Sequence, residues 1–296
     1  MGVVAVLLSL STALFWGGNA AAVKFSLDAF PPVSVAAVRF GLASLFMLGW
    51  CWLTGTAIGL RRKHAWMVGV GAIIHYLQIV TFNFGTHWSN SSHSVILINA
   101  FVFLVVAADH FCGFGPRMTR TKWLGLWSAA AGVGFVIMCN DGQSVSKEVP
   151  RMSDLPSRRG DLMVMVSAVI LAGRFIWIKR AVATMAPANF MLWQFVGSVL
   201  LFMATSFVFE TIEVSRLDSH AVRGLLYQGL VVGGYCFAIQ AILLKRYSAT
   251  QVAIFSFTTP LFGIAASVLT RDDSLSPWLV LSVVVVSWGI YLVQKQ

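Results

Sequence analysis

The chain is predicted to be an all-α polytopic membrane protein, with ten transmembrane helices forming two inverted five-helix repeats around a central cavity. Three observations predict it. Of 296 residues, 58% are hydrophobic and only 11% charged, with a mean hydropathy of +0.80, which leaves too few polar groups to coat a soluble globule. Apolar runs near the ~20 residues that cross a bilayer recur between charged breaks and consume nearly the whole chain. The two halves of the chain also echo each other in order.

The spans follow from hydropathy and the charged breaks. The first, 3–23, has no basic residue ahead of it and leads straight into another span, so it reads as retained rather than as a cleaved signal peptide. At about 100° per residue, Ser9, Thr12, Trp16 and Asn19 share one of its stripes. The second, 33–53, contains Arg39. The third, 65–86, gathers His75, Tyr76, Gln78, Phe82, Asn83 and Thr86 on one side and Ile73, Ile74, Leu77, Val80 and Phe84 on the other. In the fourth, 91–109, Ser92, Asn99 and Phe103 align; the fifth is 121–139. A Ser-, Pro-, Asp- and Arg-rich stretch, 140–160, reads as an extracytoplasmic linker. The sixth span, 161–180, aligns Ser167, Arg174 and Trp177, and the seventh is 188–208. The eighth, 222–243, aligns Tyr227, Gln228 and Tyr235; the ninth, 249–269, aligns Ser256, Thr259, Pro260 and Gly263; the tenth is 277–293.

A shift of 155 superposes Lys24 on Lys179, Pro32 on Pro187, Phe40 on Phe195, Leu45 on Leu200, Trp123 on Trp278 and Gly134 on Gly289. A shift of 159 superposes Tyr76 on Tyr235 and Trp88-Ser89 on Tyr247-Ser248. The organisation is then a first repeat, 1–139, the linker, 140–160, and a second repeat, 161–296. Five spans is an odd number, so the second copy enters the membrane from the opposite side. Inverted repeats can exchange conformations and open one site alternately to each face.

Basic residues gather on the cytoplasmic side of inserted helices. With the N-terminus inside, inner loops and the C-terminus hold Arg61, Arg62, Lys63, Arg117, Arg120, Lys122, Lys179, Arg180, Lys245, Arg246 and Lys295 against Asp109 alone, while acidic residues outnumber basic ones outside. Both termini are therefore expected in the cytoplasm. The formal charge of +10 reads as topology, with no nucleic-acid partner. Cys51, Cys112, Cys139 and Cys236 lack paired spacing, so neither a disulfide framework nor a zinc site is indicated.

Several polar stripes could converge on one aromatic and amide-lined cavity. The candidate substrate-binding residues are Trp16, Asn19, His75, Tyr76, Gln78, Asn99, Trp177, Tyr235 and Ser256. Each has a plainer alternative, a hydrogen bond to a neighbouring helix. Arg39 and Arg174 either snorkel to a headgroup layer or face the pathway and receive a substrate carboxylate. None of the 11 Asp and Glu residues lies in mid-membrane; Asp109 and Asp161 stand at span ends, which argues against a carboxylate proton relay. No metal-ligand, phosphate-loop or nucleophile-elbow pattern occurs, so no enzyme activity, cofactor or metal is expected.

The run Leu14-Phe15-Trp16-Gly17-Gly18-Asn19, then Val23-Lys24, Pro31-Pro32 and Ala36-Ala37-Val38-Arg39-Phe40 resembles the signature of EamA-type transporters of the drug/metabolite transporter superfamily. Ser248-Ala249-Thr250 followed by Thr259-Pro260 is a weaker echo in the second half. The chain departs from the pattern at Phe101, near where the first copy would carry the proline matching Pro260, and at Leu171-Ala172-Gly173-Arg174 in place of the WGGN run. The resemblance implies a bacterial inner-membrane carrier that exports small metabolites by alternating access, with the branch exporting neutral and aromatic amino acids the preferred comparison. A nucleoside, a sugar, a drug-like compound, or a passive channel are the alternatives.

Overall fold

The computed structural model describes residues 1–111, 156–212 and 218–271, with short stretches between 119 and 128 and single positions between 280 and 288. Most of the expected tenth span, of the fifth and of the linker lies outside the described residues. Every regular element among the described residues is helical. Seven helices there are long and apolar enough to cross a membrane: Val3–Leu27, Pro32–Leu53, Arg62–His87, Ser91–Ala108, Arg158–Thr184, Pro187–Phe209 and Ser219–Arg246.

The first of these consists of α1 (Val3–Gly17) and α2 (Asn19–Leu27), separated at Gly18. Next come α3 (Pro32–Leu53) and, after the short 3₁₀ turn Arg62–His64, α4 (Ala65–His87). The fourth span is α5 (Ser91–Ile98) and α6 (Phe101–Phe111), separated at Asn99-Ala100. α7 (Arg158–Thr184) and α8 (Pro187–Phe209) are continuous. The eighth expected span is α9 (Ser219–Leu226), a π-helical segment Tyr227–Cys236, and α10 (Phe237–Arg246). The ninth is broken into α11 (Ala249–Ala253), a 3₁₀ turn Ile254–Thr258, and α12 (Thr259–Arg271).

Local chemistry explains the starts. Pro32 and Pro187 open α3 and α8, where a missing N–H costs nothing. Asn90, Ser157 and Asp218 cap α5, α7 and α9 through their side chains. The first N–H groups of α3 are served from across the bundle: Glu210 accepts from Val33 N at 2.8 Å and Ser34 N at 2.7 Å.

The two sequence halves interlock, with the largest contacts running between α4 and α7 and between α3 and α8. α7 fixes the direction of the bundle. Asp161 near its start bonds Ser89, whereas Trp177 near its end bonds the Met67 carbonyl; sixteen residues at ~1.5 Å each separate them by about 24 Å. Side chains facing away from the bundle are apolar, as at Leu45, Trp52 and Phe207, the last 91% exposed, which is the surface a hydrocarbon solvent requires.

Candidate functional site

Three helices break around one cavity. In the first, Gly17 and Gly18 let other helices approach: a Cβ on Gly17 would lie 2.6 Å from Phe262 Cβ, and one on Gly18 would lie 2.9 Å from the Tyr227 hydroxyl. The break leaves Trp16 and Asn19 on one side. In the fourth span the chain turns at Asn99, whose Nδ2 donates to the Val95 carbonyl at 2.6 Å. In the ninth, Pro260 has no N–H to return to the Ser256 carbonyl, and the Thr259 N–H takes that carbonyl in a 3₁₀ bond instead.

These breaks meet at a cavity of about 80 Å³, room for several waters at ~10–15 Å³ each. Trp16, Asn19, Asn99, Ser256 and Thr259 line it from the three broken helices. Arg39, Gln78 and Gln240 add polar groups from α3, α4 and α10, and Ile79, Phe82, Phe101, Leu171 and Phe237 supply apolar wall.

Arg39 is the single charged group in that lining. It is 2% exposed, its Nη1 donates to Gln228 Oε1 at 3.4 Å, and its Cζ sits 4.7 Å from the Phe40 ring centroid. Among the described residues its Nε has no hydrogen-bond partner, and the same holds for Asn19 Oδ1 and Thr259 Oγ1. A buried polar atom left unmatched costs about 1–3 kcal/mol, so three in one cavity mark a place for a polar ligand or ordered water. Arg174 is also fully buried. It lies behind the wall, its Cζ 4.6 Å from the Phe237 ring and its Nη1 donating to Gln78 Oε1 at 3.4 Å. Neither arginine snorkels.

The structure thus brings Trp16, Asn19, Gln78, Asn99, Ser256 and Arg39 to one cavity and puts the other candidates elsewhere. His75 packs into an aromatic cluster, its ring centroid 4.2 Å from Phe40 and 5.2 Å from Phe195, with Nδ1 3.0 Å from Ser198 Oγ. The hydroxyl of Tyr76 meets Thr205 Oγ1 at 2.8 Å. Trp177 Nε1 donates to the Met67 carbonyl at 2.9 Å, and Tyr235 meets Ser11 Oγ at 2.8 Å. All four serve contacts between helices.

Gln240 and Phe237 take the places that helical phase assigned to Tyr235. Their displacement has a cause: a π turn takes in more residues than the 3.6 of an α turn, so the face slips along Tyr227–Cys236. That segment also fits the GxxxG run against α3, where Cβ atoms on Gly229 and Gly233 would lie 2.6 Å from Leu42 Cβ and 2.8 Å from Ala43 Cβ. Among the described residues no three His, Cys, Asp or Glu side chains group to hold a metal.

Known proteins sharpen this picture. The EamA-like transporter family matches residues 3–138 and again 158–294. The chain belongs to that family. It is thus a membrane transporter of the drug/metabolite transporter superfamily. Among its EamA-like relatives, the transporter YoaV of Bacillus subtilis is 21% identical over 96% of this chain and 94% of its own. A probable amino-acid metabolite efflux pump of Escherichia coli is 23% identical over 96% of this chain and 93% of its own. The inner membrane transporter YedA of Escherichia coli is 24% identical over 97% and 93%. A solved crystal structure superposes with TM-score 0.75 over 99% of this chain and 97% of its own at 16% identity, which establishes a shared fold.

Proposed function

We propose that this EamA-like protein exports neutral or aromatic amino acids across the bacterial inner membrane as a secondary carrier working by alternating access. The observation that carries the reading is the cavity at the meeting of three broken helices, with Arg39 as its one charge. Discontinuous helices supply free backbone and side-chain polar groups at membrane depth, which carriers use to hold substrate. A zwitterion needs partners of both kinds in place of lost water. Arg39 offers its unmatched Nε to a carboxylate, Asn19 Oδ1 and Thr259 Oγ1 can accept from an ammonium, and Trp16, Phe82 and Phe237 offer apolar contact to a side chain. The naming of the Escherichia coli relative as a probable amino-acid metabolite efflux pump supports the same class.

The architecture belonging to this proposal is ten spans in two inverted repeats, 1–139 and 161–296, joined by an extracytoplasmic linker, with both termini in the cytoplasm. The doubled family match supports the two repeats. A cysteine at exposed Ser219 should react with an impermeant reagent outside intact cells and one at exposed Arg62 should not; the reverse pattern overturns the orientation.

Counterflow in proteoliposomes tests the function. Neutral and aromatic amino acids should exchange saturably. Exchange of nucleosides or sugars in their place moves the assignment to another small metabolite, and non-saturating flux makes the protein a passive channel.

A further inference from the structure

Asp161 is a carboxylate at the start of α7 with no exposed surface. Ser89 donates its hydroxyl to Oδ1 at 2.5 Å, and His93 Nδ1 lies 3.1 Å from Oδ2. Around this cluster α7 is pressed onto the turn between α4 and α5. Ser157 Oγ donates to the Trp88 carbonyl, and Arg159 stacks 4.3 Å over the Trp88 ring. A Cβ on Gly160 would come within 2.5 Å of the Trp88 carbonyl carbon, and one on Gly85 would lie 2.7 Å from Val164. The two halves of the chain therefore meet here backbone to backbone, with a buried acidic side chain at the centre.

The shifts that relate the halves identify the matching positions at the opposite end. Asp161, Ser89 and His93 correspond to Val6, Ser248 and Val252; Gly160 and Gly85 correspond to Ala5 and Leu244. The second set has no ionisable group and carries side chains where the first set has none, so it cannot reproduce the same close, charged contact. At that end Ala5, Leu244 and Val252 are buried by apolar packing, with no carboxylate among them.

We infer that Asp161, held by Ser89 and His93, is a one-sided polar latch that closes the extracytoplasmic end of the transport pathway. It rests on the carrier reading above and extends it by naming the gate. In this structure that gate is shut. Opening it pulls a buried carboxylate away from Ser89 and His93, a cost the apolar end does not carry, so the empty protein is biased toward facing the cytoplasm. That is the orientation in which an exporter must load. Asp161 acts as a positioning residue; it stands outside the cavity.

The test reads accessibility and needs no substrate. In full-length protein with Cys51, Cys112, Cys139 and Cys236 replaced, a single cysteine at cavity-lining Ile98 is exposed to an impermeant maleimide in right-side-out and inside-out vesicles. With Asp161 present, labelling should be faster from the cytoplasmic face. Asp161→Asn should raise the extracytoplasmic rate about fivefold or more and lower the cytoplasmic one. His93→Gln should shift both the same way by less. Size-exclusion profiles select variants that remain folded, and His93→Gln carries the test if Asp161→Asn does not. Labelling from one face that ignores both substitutions overturns the latch and leaves the carrier reading standing. A cysteine at Ile98 that resists labelling from both faces in every variant overturns both.

Discussion

Lys24 and Lys179 perform one task at opposite ends of the bundle. Lys24 Nζ, 2% exposed as a residue, donates to the carbonyls of Ser89 at 2.7 Å, His87 at 3.2 Å and Thr86 at 3.3 Å. Lys179 Nζ donates to the carbonyls of Leu244 at 2.6 Å and Tyr247 at 2.7 Å. Each cation thereby satisfies the orphan carbonyls that end α4 and α10, where the helix dipole also favours positive charge. The lysines are 155 apart, and the carbonyls they reach lie at the ends of the matching helices, Thr86 to Ser89 and Leu244 to Tyr247. Because both bonds lie within one half, they hold each half as a unit while the contacts between halves change.

Removing either lysine should therefore destabilise the protein in the same way. Lys24→Met and Lys179→Met each remove the donor from two or more helix-end carbonyls, a loss of about 1–3 kcal/mol. The expected outcome is a lower melting temperature in detergent for both, by similar amounts. A loss at one site alone would show that the two caps are not equivalent.

The cavity amides should divide by what else they hold. Asn19 Oδ1 has no partner among the described residues, so Asn19→Ala should weaken transport severalfold while leaving stability close to that of the parent. Gln78 donates to Ser167 Oγ at 3.1 Å and accepts from Arg174; Gln78→Ala strands both and should lower transport and stability together. Leu77→Ala, at an exposed apolar position on the same helix, should change neither by much. Transport per folded molecule, set beside the melting temperature, checks all three.

Glu210 anchors α8 to the start of α3 through two backbone N–H groups and the Ser34 hydroxyl. A carboxylate at a helix N-terminus contributes through capping and dipole together, about 1–2 kcal/mol. Glu210→Ala should cost that much in thermal stability, and Glu210→Gln, which keeps one acceptor, roughly half. Equal losses for the two would mean that charge, rather than the hydrogen bonds, supplies the effect.

The parts of this fold that periodicity and composition reach were legible in the sequence. The positions of the seven described spans followed from apolar length, since a bilayer fixes it, and Asn19, Gln78, Asn99 and Ser256 followed from α-helical phase. Phase failed where the helix stopped being α: Gln240 was hidden because the π segment before it rotates the face. Phe101 stands near where the first copy would carry a proline, and the chain turns at Asn99-Ala100 without one, because Asn99 can bond its own backbone and substitute for it. His75 shares a stripe with Gln78 and Phe82, but the stripe does not say how deep a cavity reaches, and Phe40 and Phe195 fill the space beside it. Asp161 looked like an ordinary span-end carboxylate because its burial depends on two glycines, Gly85 in the other half of the chain and its neighbour Gly160.

Arg39 gives the sharpest test of what the cavity recognises. Its guanidinium is buried, faces the cavity and has Gln228 as its hydrogen-bond acceptor; in the described residues no carboxylate stands within ion-pair distance of it. If it receives a substrate carboxylate, the lost charged hydrogen bond in Arg39→Gln is worth about 1.5–3 kcal/mol, or roughly 10- to 100-fold in apparent affinity. Amino acids should show that loss in counterflow, whereas the corresponding amino acid amides, which have no carboxylate, should change less than about twofold. Arg39→Lys should restore part of the affinity for acids, since charge survives but the fork geometry does not. An equal loss for acids and amides would show that Arg39 acts by holding Gln228 and the π segment in place, and that the carboxylate is bound elsewhere.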